Sequence, residues 1–528
     1  MPTLIRKDAW KLSAISTWEP TLLWYAKAVG EMSSRPATDP TSWRFQGGVH
    51  GYSKSTDPFA ATGPIPKKAV TDVFWSQCQH GTWFFLPWHR MYIGLFEQIV
   101  RAAVVKLGGP VDWTLPYWNY SDASNPKAKA LPPAFREPKL PDGSPNPLFT
   151  IGGINILRAP GVNAGNSAVI PNNDVDLSGC LAKTFYSPKT DSTTGDLGFG
   201  GPATGANHDA HVFGQRSVES VPHNAIHVDI GGEWSQGGKT LDGWMINPDT
   251  AALDPIFWLH HANIDRLWAV WSRMSSSNTS PSSPVNVAGR KITWATSVKF
   301  SFYNAAGKVV AMTPSQMIDT KTSPFTYDYE DTSSPVAKPK PPKMAGAAAT
   351  STPMAPERPE MIGASAKKVT LTGSPQSATI AIQPATGPAK PKAAKQAPKA
   401  RKAAAESAPQ GKTYLHIENV VSKKSHATYE VYVNLPENPD AAAYEQHHAG
   451  AMHLFGVVRA STRSARSAGN GLTFSIDITG LVETLKESND WDENNVRVTF
   501  LPRTGEEAHG APAEHDPIKI GRIGIYRS

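Results

Sequence analysis

At 528 residues, with 40% hydrophobic residues and 16 tryptophans, the chain carries enough apolar surface for roughly two to four domains and is not disordered throughout. Its two cysteines, Cys78 and Cys180, exclude a disulfide-built scaffold and any multi-cysteine metal site. The net charge of +7 is local: residues 334–412 hold 13 Lys and Arg against 3 Asp and Glu, so the remainder is slightly acidic. That basic stretch is dominated by Ala, Pro and Lys, without interleaved aromatics or arginine clusters, which is linker composition and argues against nucleic acid as a partner. No run approaches the ~18 to 20 consecutive apolar residues that span a bilayer, and the opening MPTLIRKDAWKLSAISTWEP lacks the apolar core of a secretory signal. The expectation is a soluble, cytoplasmic protein with no membrane partner. Export stays open, because a mature form that has lost its signal reads the same.

In chain order, a helix is predicted to open near Leu86-Pro87 and run through WHRMYIGLFEQIVRAAVV. A second opens at Asp254-Pro255, a cap followed by a first-turn proline, and places Phe257, His261, Ile264, Leu267, Trp268 and Trp271 at helical spacing. Residues 1–333 therefore read as a mainly α domain with long Gly/Pro-rich loops. Within the linker 334–412, Val369-Thr370-Leu371 and Ala378 to Ile382 alternate around a Gly-Ser-Pro turn, predicting a short β-hairpin near 367–383, expected to dock on the first domain. Residues 413–528 repeat runs of period two, TYLHIENVV, ATYEVYVNL, MHLFGVV, LTFSIDI, VRVTFLP and IKIGRIGIY, which predicts a C-terminal all-β sandwich.

Nine of the 16 histidines fall between positions 50 and 261. They come as His50, His80 and His89, then His223, His227 and the pair His260-His261. His223 and His227 stand four apart, the spacing at which two imidazoles on one helical turn chelate an ion. Two groups of three in one helical domain suggest a dinuclear metal centre. A zinc protease would need Glu after the first His of the pair, where Asn224 stands, and a di-iron bundle would need Glu-x-x-His motifs, which are missing. Neutral imidazoles without a ligating carboxylate suit copper.

The segments that carry these histidines, HGTWFFLPWHR at 80–90 with Glu97, PHNAIH at 222–227 and DPIFWLHHANIDRLW at 254–268, resemble the tyrosinase family, the type 3 copper proteins that include tyrosinases, catechol oxidases and haemocyanins. The resemblance covers residues 1 to about 330 and implies a four-helix bundle around two copper ions. It implies His50, His80 and His89 as ligands of the first copper and His223, His227 and His261 as ligands of the second, with His260 packed behind. It also implies a thioether between Cys78 and His80, although a small buried thiol is the other reading of Cys78. Tyr327-Asp328-Tyr329 resembles the motif that closes the family's core domain, on which Arg6 would stack.

The implied chemistry is ortho-hydroxylation of monophenols and oxidation of the catechols to o-quinones, with dioxygen and small phenols as partners. Catechol oxidase without hydroxylation, or an oxygen carrier, are the alternatives. A phenol with a pKa near 10 must lose its proton to be hydroxylated, and Glu219 with Asn224 resembles the pair that holds a basic water in phenol-hydroxylating members. Met245 and Pro248 are expected to line the substrate mouth. The C-terminal runs also resemble the β-domain that keeps plant polyphenol oxidases latent. This implies a lid domain whose loop Gln446 to Phe455 inserts Leu454 or Phe455 into that mouth. The sequence leaves a homo-oligomer open.

Overall fold

The computed structural model describes residues 3–206, 211–322, 324–335, 359–382, 411–425, 428–464, 467–503 and 516–528. Five helices position the site. Helix α1 (Pro20–Ser33) starts on a proline, with the Glu19 carboxylate accepting the Thr21 N–H at 2.7 Å. Helix α2 (Trp43–His50) is capped by the Ser42 hydroxyl, which accepts from the Phe45 N–H at 3.1 Å. Helix α3 (Phe85–Lys106) and helix α5 (Ile256–Met274) are buried along most of their length, and α4 (Ala225–Gly231) is a short helix beside them. The predicted cap on α5 is present, with Ile256 N–H donating to the Asp254 carboxylate at 3.1 Å. That carboxylate is itself gripped by Arg158 through two bonds of 2.7 and 2.8 Å, both side chains fully buried. Helices α1 and α5 pack on α3, and eight tryptophans, among them Trp43, Trp88, Trp258 and Trp268, fill the spaces between elements almost completely shielded from water. No helix among the described residues is long and apolar enough to cross a membrane.

Three of the short strands in this half bear on the argument: β1 (Leu4–Arg6), β2 (Val212–Gly214) and β3 (Tyr327–Tyr329). Strand β1 runs parallel to β3, closing the domain's two ends on each other and setting Arg6 opposite Tyr329. The Arg6 guanidinium carbon lies 3.7 Å from the centroid of the Tyr327 ring, as the resemblance implies.

Nine further strands form the C-terminal region: β4 (Glu360–Ser365), β5 (Val369–Leu371), β6 (Gln376–Ile382), β7 (Thr413–Val421), β8 (Tyr429–Val433), β9 (His448–Met452), β10 (Leu472–Asp477), β11 (Val496–Pro502) and β12 (Ile518–Arg527). They form one curled sheet in the order β9-β8-β11-β6-β4-β12-β7-β10-β2, with β5 paired to β12. The sheet therefore ends on β2, a strand of the catalytic half, which lies parallel to β10. Among the described residues, three helices, α6 (Ala441–His447), α7 (Val457–Ser461) and α8 (Thr479–Glu487), accompany the sheet.

Two expectations change here. The predicted hairpin does not form, because β5 pairs with β12 and β6 with β4 and β11 instead of with each other, and the segment does not dock on the first domain: Val369, Leu371, Ile380 and Ile382 enter the core of the C-terminal sheet. Alternation gave it an apolar face but no address, and the free edges of β11 and β12 supplied one. The run MHLFGVV is not a strand. After Met452 the chain leaves the sheet, turns at Gly456 with φ +78°, and continues as α7. The Ala/Pro/Lys tracts before β4 and after β6 lie outside the described residues.

Candidate metal centre

Six imidazoles meet where α2, α3, α4, α5 and the loop before α3 converge. His50 closes α2, His80 precedes the turn at Gly81, and His89 sits in the second turn of α3. Gly81 has φ +64°, and an added side chain would lie 2.8 Å from the Val212 backbone nitrogen, so the turn needs glycine on both counts. The irregularity lies ahead of His223, at Val221, whose φ of −135° and ψ of 118° are extended; His223 N–H bonds Val218 O across this kink, and the chain then passes through Asn224 into α4, which carries His227.

Ring centroids within the first group lie 5.2 Å (His50 and His80), 5.5 Å (His80 and His89) and 5.7 Å (His50 and His89) apart. Within the second they are 4.6 Å (His223 and His227), 4.9 Å (His223 and His261) and 5.6 Å (His227 and His261). The two groups touch, His89 stacking on His261 at 4.4 Å. Ligand atoms of His223, His227, His260 and His261 lie within 4.8 Å of one another, as do those of His50, Cys78 and His80, and those of His50, His89 and His261.

The hydrogen bonds choose the ligating atoms. His50 Nδ1 pairs with Pro248 O, His89 Nδ1 with Phe85 O, His223 Nδ1 with Asn224 Oδ1 and His227 Nδ1 with Met245 O, each at 2.8 Å. An oxygen acceptor there fixes the proton on Nδ1 and leaves the Nε2 lone pair facing inward. The Nε2 atoms of His50, His80, His89 and His223 are buried without a hydrogen-bond partner among the described residues, and those of His227 and His261 face each other at 3.4 Å. Buried nitrogen lone pairs left in this way cost about 1–3 kcal/mol each, and a cation between them removes that cost. Burial also pushes all six imidazoles well below their ordinary pKa, His50 and His223 to about 3, which keeps them neutral as ligands must be. Six neutral nitrogens with no carboxylate among them fit copper.

Behind the rings a buried ion network ties the ligand helices together. Asp265, four residues after His261, accepts from Arg90, from Tyr327 and from Tyr329 (2.6 Å), while Arg6 reaches Glu97 at 2.7 Å and Asp265 at 3.4 Å. His260 stacks on His223 at 5.3 Å and meets His261 edge-on at 5.2 Å.

The other expected residues are placed as follows. Cys78 Sγ lies 3.4 Å from His80 Nδ1. Glu219 is buried, accepts the Gly81 N–H at 2.7 Å, and is pushed well above the usual carboxylate range by burial, against the pull of the Gly81 and Thr82 amides. Met245 is a fully buried core residue whose contribution to the site is its carbonyl, and Pro248 lies beside Gly456. Leu454 and Phe455 part company. Leu454 packs in the C-terminal core, whereas Phe455 enters the catalytic one, because the two stand at the start of a tight turn closed by Val457 N–H to Leu454 O at 3.1 Å. The Phe455 ring lies 4.0 Å from that of His227 and nearly parallel to it, and meets His80 and His223 edge-on at 5.4 and 5.7 Å. His447 and His448 are held within the β-domain, by Val433 O (2.9 Å) and Glu430 (2.7 Å).

Two groups were missed in the sequence. Arg503 bridges Glu430 of its own sheet to Asp174 of the catalytic half, and Arg459 reaches Ser76, Cys78 and His50. Neither lies in a pattern, and only the position of Arg459, four residues past Phe455 in the expected plug loop, pointed at it.

A family model described as the common central domain of tyrosinase matches residues 40–274, and a domain family of unknown function matches residues 358–528. Tyrosinase HcTyr1 of Hahella sp. is 35% identical over 527 residues, 96% of this chain and 97% of that protein. The chain belongs to the tyrosinase family. A chloroplastic polyphenol oxidase of Malus domestica is 25% identical over 510 residues, 95% of this chain and 74% of the relative. The solved structure of latent apple tyrosinase shares the fold across 100% of this chain and 98% of its own, with a TM-score of 0.56 at 22% identity, and latent aurone synthase does so at 0.52 and 19%. As a member of the tyrosinase family the protein is a copper-dependent oxidoreductase that acts on phenols with dioxygen.

Proposed function

We propose that the protein is a tyrosinase with two copper ions, which hydroxylates monophenols to catechols, oxidises catechols to o-quinones, and is latent while its C-terminal domain is seated. The observation that carries this reading is Phe455, a benzene ring stacked on His227 and edge-on to His80 and His223. A phenol fits where that ring lies, and cannot enter while it is there. Copper held by His50, His80 and His89 and by His223, His227 and His261 would supply dioxygen activation and the two-electron redox step. The protein's own part is to orient the ring and take its proton. His227, fixed through Met245 O, offers a flat face for stacking. Glu219 and Asn224, on the turn that carries His223, support a water that accepts the phenol proton, a step monophenols need and catechols need less.

Oxygen uptake with a monophenol and its matching catechol tests the reading, on the full chain, on Phe455→Ala and on Phe455→Ala with Glu219→Gln. The expected outcome is low uptake by the full chain, uptake of both substrates by the single variant, and a loss of at least about tenfold with the monophenol alone in the double variant. Uptake of the catechol only by Phe455→Ala would replace it with the catechol oxidase reading.

A further inference from the structure

The guanidinium of Arg459 lies at the seam between the two domains. Its Nη2 donates to Ser76 O at 3.0 Å, and its Nη1 to Cys78 Sγ at 3.2 Å and to His50 O at 3.3 Å, with the Asp249 carboxylate 4.0 Å away. These partners are not scattered. His50 ends α2, so its carbonyl is one of the helix-end acceptors that lack an intrahelical donor. Ser76 and Cys78 belong to the stretch leading to His80, and Ser76 holds a left-handed φ of +54°. Asp249 follows Pro248, whose carbonyl orients His50. The same two stretches are already laced together by Ser76 N–H to Gly48 O and Gln77 N–H to Val49 O, both at 2.9 Å. One planar fork from the C-terminal domain thus braces the backbone on which His50 and His80 are mounted.

Among the described residues, no polar side chain of the C-terminal domain braces the backbone of the second group in this way; the domain meets that group through the Phe455 ring, on His227 at 4.0 Å and His223 at 5.7 Å. His223 is set by Asn224, His227 by Met245 O, and His261 by a helix that Asp265 pins to Arg90 and Arg6, all within the catalytic half. The C-terminal domain does approach α4, through Arg503 and Asp229 at 3.7 Å, but that contact involves no ligand and no residue that orients one.

We propose that Arg459 is a positioning residue for the first group of histidines, through which seating of the C-terminal domain and metal affinity at His50, His80 and His89 are coupled. The proposal rests on the two-copper reading above. A ligand's outer partners are worth roughly tenfold to a hundredfold in metal affinity, and a guanidinium serves three acceptors at fixed angles where an ammonium serves one or two. Linkage makes the effect reciprocal: whatever factor Arg459 adds to metal binding at the first group, metal at that group adds to seating of the domain.

The test uses the full chain, its Arg459→Met and Arg459→Lys variants, and Arg503→Met as a variant that loosens the same interface elsewhere. Each is titrated anaerobically with cuprous ion against a competing chelator. Amide hydrogen exchange is followed in peptides covering 46–52 and 74–82 (first group) and 219–231 (second group). In the unsubstituted chain protection should grow in both regions as two equivalents bind. In Arg459→Met the first-group peptides should need about tenfold or more free cuprous ion for the same protection, with 219–231 unchanged. Arg459→Lys should fall between, and Arg503→Met, at concentrations where exchange across 448–464 shows the domain still seated, should leave both regions as they were. Equal weakening of both groups, no weakening, or the same selective loss in Arg503→Met with the domain still seated would each overturn the proposal. If the unsubstituted chain binds fewer than two equivalents, the two-copper reading fails instead, and Arg459 is still judged on the 46–52 and 74–82 response to the ion that does bind.

Discussion

The ring of Phe455 lies 17° from parallel with the imidazole of His227, centroids 4.0 Å apart, although the two residues belong to different domains. The turn that delivers it is built for the purpose: Gly456 takes a left-handed conformation beside Pro248, and Leu454, one residue earlier, anchors the turn in the opposite core. A phenyl ring buried at this depth contributes about 2–3 kcal/mol to the closed state. Phe455→Ala should therefore raise kcat/KM of the full chain for a catechol roughly 10- to 100-fold, without any cut in the chain. Unchanged turnover, with the domains still associated by gel filtration, would mean that access to the site is not limited by the ring.

The sheet order dictates where a cut can release the C-terminal domain. Strands β4 and β6 lie between β11 and β12, so the strands that precede residues 384–410 are woven into the sheet that follows them. A protease site introduced within 384–410 should give two fragments on a denaturing gel that still co-elute at full size in native buffer, with oxygen uptake as low as before. A site introduced within 337–357 leaves every strand from β4 onward in one piece, held only through the domain interface. Dilution of that product should separate the fragments and raise uptake. The opposite pattern would contradict the pairing of β6 with β11.

Acid should weaken the β-domain through Glu430. Burial opposes its ionisation, but His448 at 2.7 Å and Arg503 outweigh burial and hold it at about 2 against an ordinary 4.5. The folded state favours the charged form, so this contribution is complete above pH 4.5 and disappears as pH falls toward 2. Its size is at most on the order of 3 kcal/mol. Thermal unfolding followed from pH 7 to pH 3 should show Glu430→Gln destabilised at the upper end, with the gap to the unsubstituted chain closing as pH drops.

Much of the catalytic half was legible because its signals are local. The cap at Asp254, the helical spacing from Phe257 to Trp271 and the histidine motifs each sit within a short stretch of chain. Strands β7, β8, β10, β11 and β12 were legible for the same reason, since alternation is a property of one strand. What failed was partnership. Val369 and Ile380 announce an apolar face but not which sheet covers it, and Leu454 and Phe455 are equally apolar neighbours whose separate destinations depend on a turn at Gly456. The kink at Val221 was hidden because His223 and His227, just after it, have the spacing of a regular turn. Arg459 and Arg503 carry no periodic signal at all, because their partners lie hundreds of residues away.

Asp265 is the residue on which the helix pair α3 and α5 depends most. Its carboxylate serves Arg90, Arg6, Tyr327 and Tyr329 inside the core, and the arginines hold it below its ordinary pKa despite burial. Asp265→Asn keeps the shape but leaves Arg90 without its countercharge and Arg6 with Glu97 alone, and breaking a buried pair of this kind costs about 3–5 kcal/mol. Because Arg90 follows His89 and Asp265 lies one turn past His261, the damage should reach both groups of ligands together. The expected result is a lower unfolding temperature and weaker cuprous ion binding at both equivalents, measured by chelator competition. That distinguishes Asp265 from Arg459, whose loss should weaken one equivalent and leave the other.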